Sequence, residues 1–167
     1  MLTDLDLPTT LRTPERSVTL RRATEDDLPA LVSLLADDPF GAGREDADAP
    51  EAYRPALLEV LQNASDDLLV AADHAGTPVA MLQLTRIPGL ARRGATRLLV
   101  EAVRVHSAHR SGGIGTAVMR WVTAEAAPAV GACLVQLTSH EARKDAHRFY
   151  ERLGFAGSHR GFKVELG

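Results

Sequence analysis

Apolar residues recur along most of the chain, and their spacing alternates between that of a helix and that of a strand. Helical spacing begins after Thr24, an expected N-cap, and returns at Tyr53 to Leu61, Ile114 to Val122 and Ala142 to Leu153, where Gly154 is the expected C-cap. Short runs rich in β-branched and apolar residues predict strands at 18–22, 68–72, 79–86, 97–105, 132–138 and 162–166.

The order of these elements is β-α-α-β-β-β-α-β-α-β. It predicts an α/β (α+β) fold, with a mixed, mostly antiparallel sheet of about six to seven strands and about four helices on both faces. Residues 1–16 contain two prolines and little periodicity, so we expect a flexible leader there. Residues 17–167 are expected to form a single domain, because no linker interrupts them.

Composition narrows the class of protein. Apolar residues make up 45% of the 167, charged residues 25%, and the net charge is −3, which disfavours a nucleic-acid-binding surface. No apolar run approaches the roughly 20 residues of a membrane span, and the first residues lack the apolar stretch of a signal peptide. Cys133 is the single cysteine and lies in an apolar run, which favours a small core residue over a catalytic thiol. We therefore expect a cytoplasmic protein that binds neither nucleic acid nor membrane.

One glycine-rich segment, Arg110-Ser111-Gly112-Gly113-Ile114-Gly115-Thr116, follows a strand and opens a helix. Glycines let a backbone approach a ligand closely, and a helix N-terminus offers unpaired N–H groups to a phosphate. The segment lacks the Gly-Lys-Ser/Thr of a Walker loop and the third glycine of a Rossmann fingerprint. These residues alone leave two alternatives, a pyrophosphate site and an ordinary strand-to-helix turn.

Two motifs resemble the GNAT superfamily of N-acetyltransferases. Arg110-x-x-Gly113-x-Gly115 is similar to its [Gln/Arg]-x-x-Gly-x-[Gly/Ala] signature, and Ala146 to Phe155 is similar to its closing A-x-x-F-Y-x-x-x-G-F element. The predicted order of elements from Val18 to Leu166 also resembles that of the family.

The resemblance implies a GNAT fold, splayed at the cofactor-binding strand, that uses acetyl-CoA as co-substrate and no metal. It implies that backbone groups of the strand end Val103-Arg104-Val105 contact pantetheine and that N–H groups from Ser111 to Thr116, with Arg110 at the entrance, bind the pyrophosphate. The residues so implied are Val103, Arg104, Val105, Arg110, Ser111, Gly112, Gly113, Ile114, Gly115 and Thr116. Arg143 stands where many relatives have an asparagine that contacts pantetheine, so it is expected to meet a phosphate or the acceptor instead.

Transfer of an acetyl group from a thioester to an amine needs a proton donor for the leaving thiolate and an acceptor for the amine proton. The resemblance implies that Tyr150 lies near the sulfur as the donor, whereas its place in a helical stripe also suits a core aromatic. Glu101 lies inside an apolar strand, which is costly unless the carboxylate is paired or used as a base. His106, His109 and His140 are weaker candidates, because histidines in loops are usually solvated.

Two segments are expected to form the acceptor pocket by analogy with the family, Asp37 to Tyr53 and Thr85 to Arg97. The first is rich in acids and the second carries four arginines, so the acceptor stays open between a small amine, an amino acid derivative and a protein amine. Two functions are compatible with these features, an N-acetyltransferase and a non-catalytic CoA-binding module. A homodimer is expected, because the resemblance to the family implies one and because the terminal strands of the sheet leave edges that a second copy could cover.

Overall fold

A computed structural model describes residues 1–38 and 43–166. Within them the chain divides into two compact units, Met1–Gln136 and Leu137–Gly167. The first unit holds nearly all of the sheet, and the second holds one helix and the C-terminal segment. That residues 17–167 act as one domain stays a prediction.

Six strands form the sheet, and they follow one another across it in chain order. They are β1 (Thr9–Arg12), β2 (Ser17–Arg22), β3 (Asp66–Ala72), β4 (Pro78–Ile87), β5 (Thr96–Val105) and β6 (Ala132–Leu137). Strands β1 to β5 pair antiparallel with their neighbours. The predicted α/β class is confirmed, and the sheet has six strands where about six to seven were predicted.

The helices in the described part of the chain are α1 (Leu28–Ala36), α2 (Arg54–Gln62), α3 (Ala91–Gly94), α4 (Ile114–Trp121), α5 (Ala127–Ala129) and α6 (Lys144–Arg152). Of these, α3 is a four-residue turn in which Arg92 and Arg93 have left-handed φ values of 54° and 62°. All four helices that the apolar spacing predicted are present. Thr24 is the N-cap of a 3₁₀ turn that leads into α1, where its backbone N–H donates to Asp27 at 2.8 Å. A π-helical turn, Val122–Ala126, joins α4 to α5.

The sheet buries both of its faces. On one face, Leu68, Val70 and Met81 pack with the buried side chains of α1 and α2. The alternate strand residues Leu69 and Leu82 are at most 1% exposed and point to the other face, because successive strand side chains alternate. The buried stripe of α4, which contacts β1 and β5, covers that second face.

The N-terminal segment departs from the expected flexible leader. Strand β1 pairs with β2 over Thr9 to Arg12, and Leu2, Leu5 and Leu11 are each at most 8% exposed. The expectation of a segment without regular structure is therefore wrong for these residues. Strand β1 contains a single buried apolar residue, so an alternation of apolar residues could not reveal it. Its extended structure depends on pairing with β2.

Two strand predictions near the C-terminus also need correction. Residues 162–166 form no strand, and Phe162, Val164 and Leu166 are 82–90% exposed. Their alternation is that of a strand, but a strand also needs a partner for its backbone groups. Strand β6 is half-buried, and Cys133 on it is exposed rather than the core residue that its apolar run favoured.

Candidate functional site

Strand β5 contains a β-bulge close to its C-terminal end. Ala102 and Val103 together stand opposite Leu82 of β4, and Ala102 has a φ of 50°. Regular pairing resumes at Arg104. A bulge changes the direction of the side chains that follow it and is frequent beside active sites.

The end of β5 leads through a tight loop into α4. The loop contains a 3₁₀ turn, Ser107–His109, followed by positive φ values of 68° at Ser111 and 86° at Gly113. Gly113 is the N-cap of α4, and its carbonyl accepts the N–H of Ala117 at 2.9 Å. The first N–H groups of a helix have no acceptor inside the helix, so they face outward where an anion is stabilised. This geometry fits a phosphate.

Gly113 is the position at which the loop needs glycine. Its φ is unfavourable for other residues, and a Cβ there would lie 2.8 Å from Cδ of Pro14. A Cβ at Gly112 would approach Oε2 of Glu15 to 2.8 Å, but that flexible side chain can move away. Both neighbours belong to the turn between β1 and β2.

Asp37, just after α1, fastens this loop. Its Oδ2 accepts the backbone N–H of Ser107 at 2.6 Å and a guanidinium N–H of Arg110 at 3.0 Å. The Arg110 guanidinium also donates to the carbonyl of Asp37 at 2.9 Å and to that of Val105 at 3.0 Å. The arginine of the sequence signature therefore binds the protein itself and holds the loop to the end of β5.

The charge of Asp37 is stabilised by the same contacts. Burial by itself would raise the pKa of this carboxyl, but the hydrogen bonds from Ser107 and the charges of Arg110 and His106 outweigh it, so the pKa is lowered from 3.8. Asp37 is therefore ionised at neutral pH and acts as the acceptor of the loop's donors.

Asp38 pairs with Arg104 in a similar way. Their charged groups are 3.1 Å apart, and the two side chains are 6% and 18% exposed. Arg104 also donates to the carbonyl of Val103 at 2.9 Å. The side chain of Arg104, predicted among the cofactor residues, is thus directed at Asp38, and only its backbone is left for the predicted contact. The carbonyls of Val103 and Val105 each accept one arginine donor and keep a second lone pair.

Glu101 is exposed, although the sequence placed it inside an apolar strand. It pairs with Gln83 of β4, one residue before the bulge. Glu101 was selected as a candidate base because it was expected to be buried, and that expectation is wrong. Its role as a base stays a prediction, now for an exposed carboxylate.

Tyr150 belongs to the second unit and lies on α6. Its ring contacts those of Phe149 and Phe155 edge-to-face, with centroids 5.1 and 5.8 Å away. The N–H of Phe155 donates to the carbonyl of Tyr150 at 3.1 Å, and Gly154, with a φ of 87°, donates to Glu151 at 3.0 Å. These two bonds are a Schellman motif, so the predicted C-cap role of Gly154 is confirmed. The catalytic role of Tyr150 stays a prediction.

Arg143 is the N-cap of α6, and its backbone N–H donates to the carbonyl of His140 at 2.9 Å. His140 Nδ1 accepts the N–H of Ala142 at 3.1 Å, and His106 Nδ1 accepts that of Ala108 at 3.2 Å. Both histidines therefore stabilise turns. The contact of Arg143 with a phosphate or acceptor stays a prediction.

In the two segments expected to form the acceptor pocket, several side chains make hydrogen bonds within the protein. Tyr53 accepts the N–H of Asp46 at 2.8 Å through its hydroxyl, and residues 39–42 of that segment lie outside the described residues. In the other segment, Arg86 donates to the carbonyl of Val130 at 3.1 Å, and Arg97 to Gln136 at 3.3 Å. Arg92 and Arg93 are exposed with positive φ.

Sequence reasoning missed Asp37, Asp38 and Arg16, the last of which lies 2.7 Å from His109 of the loop. Asp37 meets Ser107 and Arg110 across 70 and 73 residues of chain. The available signal was the pair of acids at the end of α1, but its partners are set by the tertiary fold. Over residues 1–38 and 43–166, no cluster of histidine, cysteine and acidic side chains is arranged to hold a metal, and no helix is long and apolar enough to span a membrane.

Residues 28–155 match the model of the acetyltransferase (GNAT) family. No curated protein matches the sequence. Among solved structures, a transcriptional regulator from Bacillus halodurans is 42% identical, with a TM-score of 0.84 over 89% of this chain and 99% of its own.

Two further structures share the fold at lower identity. An acetyltransferase from Trypanosoma brucei is 24% identical, with a TM-score of 0.69 over 89% of this chain and 99% of its own. The glucosamine-6-phosphate N-acetyltransferase from Arabidopsis thaliana is 17% identical, with a TM-score of 0.72 over 90% of this chain and 99% of its own.

Proposed function

Because this chain belongs to the GNAT family of acetyltransferases, we propose that it moves the acetyl group of acetyl-CoA onto a primary amine of a small molecule or protein. The observation that carries the proposal is the loop before α4. Gly113, with positive φ, is the N-cap of α4, and Asp37 holds the loop by hydrogen bonds; the first N–H groups of a helix have no acceptor within it, which supports binding of a diphosphate at this helix start.

Different parts of acetyl-CoA are assigned to the end of β5 and to the loop that follows it. N–H groups from Ser111 to Thr116 hold the pyrophosphate, and backbone groups of Val103 and Val105 bind pantetheine in the manner of an added strand. Arg110 acts through the loop, since its guanidinium is bonded to Asp37. Arg143 meets a phosphate or the acceptor.

The reaction forms one C–N bond and breaks one C–S bond. The amine nitrogen attacks the thioester carbonyl, whose oxygen is stabilised by a backbone N–H near Val105. The C–S bond then breaks, and Tyr150 gives its proton to the departing thiolate. The ammonium proton leaves to Glu101 or to water, and the tyrosine is reprotonated from solvent. Comparing the pH profile of Glu101→Gln with several acceptors of different pKa separates these two routes.

A second candidate is a CoA-binding module without turnover. It is favoured by one observation, that a structure 42% identical to this chain is described as a transcriptional regulator. Such a module would bind CoA through the same loop but would release no thiol.

Both candidates are tested by incubating the full chain with acetyl-CoA and pooled amines while free thiol is followed with a chromogenic reagent. We expect amine-dependent thiol release. CoA binding by calorimetry without release from any amine pool supports the module instead, and absence of CoA binding contradicts both.

We also propose that the protein is a cytoplasmic homodimer that binds neither nucleic acid nor membrane. The exposed apolar side chains of Phe162, Val164 and Leu166 support the dimer, because a second copy would cover them. The net charge of −3 supports the absence of a nucleic-acid partner.

A further inference from the structure

Arg104, at the end of β5, and Arg110, in the loop that follows it, are each neutralised by an acid. Arg110 lies 3.0 Å from Asp37, and Arg104 lies 3.1 Å from Asp38. A diphosphate at the loop would therefore meet N–H groups without a net positive charge from either arginine. A further cation at the loop would improve the binding of such a ligand.

The turn between β1 and β2, residues 13–16, lies against the loop. Pro14 and Glu15 are the side chains that a Cβ at Gly113 or Gly112 would meet. Thr13 fixes the turn, because its Oγ1 donates to the carbonyl of Arg16 at 2.9 Å and accepts the N–H of Arg16 at 3.0 Å. The backbone of Arg16 is thus held beside the loop by bonds that do not involve its own side chain.

The guanidinium of Arg16 is aimed at the loop. Its Nη1 lies 2.7 Å from Nδ1 of His109. Since a guanidinium always carries its protons, Arg16 donates, Nδ1 accepts, and the proton of neutral His109 is on Nε2. The contact uses one of five N–H groups and leaves the others for a ligand.

Glu15 does not cancel the charge of Arg16 as Asp37 and Asp38 cancel those of their partners. Its carboxylate is 3.6 Å from Arg16, and the two side chains are 57% and 39% exposed. An ion pair so exposed contributes little, and a phosphate can replace it.

We propose that Arg16 is a further phosphate-binding residue of the coenzyme A site, and that His109 is a positioning residue for its guanidinium. The proposal rests on the acetyl-CoA-dependent function proposed above. It assigns a role in ligand binding to the hairpin of β1 and β2, which precedes the residues that match the family model. The ligand group is a phosphate of the nucleotide half of CoA, either the diphosphate or the 3′-phosphate.

The test is calorimetric titration of the full chain with CoA and with dephospho-CoA, which lacks the 3′-phosphate. Arg16→Gln is expected to weaken CoA binding about tenfold, as expected for one charge-assisted hydrogen bond at a partly exposed site. The matched control is Arg54→Gln, an equal change of charge at an arginine of α2 whose side chain is exposed to a similar extent, 37% against 39%, and which is paired with Glu51 away from the loop, so we expect unchanged affinity. Arg16→Lys keeps the charge without the planar fork and is expected to lie between wild type and Arg16→Gln.

The two ligands identify the phosphate. A loss that persists with dephospho-CoA assigns Arg16 to the diphosphate, and a loss seen only with CoA assigns it to the 3′-phosphate. Equal affinities of wild type and Arg16→Gln, or equal losses in Arg16→Gln and Arg54→Gln, overturn the proposal. A wild-type protein that binds neither ligand contradicts the proposed function itself and is thereby distinguished from failure of Arg16 alone.

Discussion

Asp37 is the side chain that holds the loop between β5 and α4 most directly. It is a single carboxylate that accepts one backbone and one guanidinium donor from the loop. Removing its charge leaves those donors with a weaker acceptor while the fold around them is kept. Its effect is therefore expected on ligand binding more than on the core.

Asp37→Asn is expected to weaken CoA binding about tenfold, because hydrogen bonds to charged groups contribute about 1.5–3 kcal/mol and one such acceptor loses its charge. Calorimetric titration with CoA measures this. Asp48→Asn, the same change at an exposed acid after α1, is the control and is expected to bind as wild type. Equal affinities of the two variants would show that the loop does not need this carboxylate.

The lowered pKa of Asp37 sets the pH dependence of its contribution. A carboxylate whose pKa is lower in the folded state stabilises that state above its ordinary value, 3.8, and loses this contribution as the pH falls through the lowered value. Thermal melts of wild type and Asp37→Asn are therefore expected to differ most above pH 3.8 and to converge in stronger acid. A difference that grows as the pH falls contradicts this sign.

Tyr150→Phe is expected to keep CoA affinity and to lower kcat by about 10²-fold or more, because it removes a proton donor and little packing. Single-turnover rates, with CoA titration as the control, measure the two effects separately. An unchanged chemical step would leave Tyr150 as part of the aromatic cluster with Phe149 and Phe155.

At the scale of elements, the sequence predicted those helices and strands whose apolar spacing is visible in the local sequence. The helices α1, α2, α4 and α6 and the strands β2 to β6 all lie near their predicted positions. Strand β1 was missed, and the strand at 162–166 was predicted but is not formed. Both errors concern strands, whose existence depends on a partner elsewhere in the chain and not on their own alternation.

In the candidate site, too, features that depend on local sequence could be predicted, whereas contacts between distant elements could not. The glycine loop and the C-cap at Gly154 could be predicted, because helix ends and turns need particular residues at particular positions. The partners of Arg104 and Arg110 could not, since Asp38 and Asp37 come from another element. The exposure of Glu101 was missed for a similar reason, because an apolar sequence around a residue does not determine which elements cover it.

Gly113→Val is expected to abolish CoA binding, because a side chain at a φ of 86° with its Cβ 2.8 Å from Pro14 must displace the loop. The control is Gly76→Val in the turn between β3 and β4, where φ is 85° and nothing lies within 4 Å of the added Cβ. Both variants bear the same backbone strain, but only Gly113→Val should lose CoA in calorimetry. Retained binding in a folded Gly113→Val moves the phosphate site elsewhere.

At the scale of the whole molecule, the exposed Phe162, Val164 and Leu166 bear on assembly. We expect light scattering to give the mass of a dimer, and Val164→Asp to shift it toward the monomer, because a charge in an apolar contact is costly. Circular dichroism controls for folding of the variant. A monomer mass that does not change with concentration contradicts the dimer.

The bulge at Ala102 has a consequence for how β5 can change in evolution. Before it, Leu98 and Val100 are at most 1% exposed on the face that α4 covers. After it, Arg104 stands opposite Met81, on the face of α1, where Asp38 lies. Strict alternation would instead turn Arg104 toward the side of Leu98 and Val100. One extra residue thus turns the side chains at the end of β5 to the opposite face of the sheet, and a deletion of that residue would turn Arg104 away from Asp38 and toward the face of Leu98 and Val100.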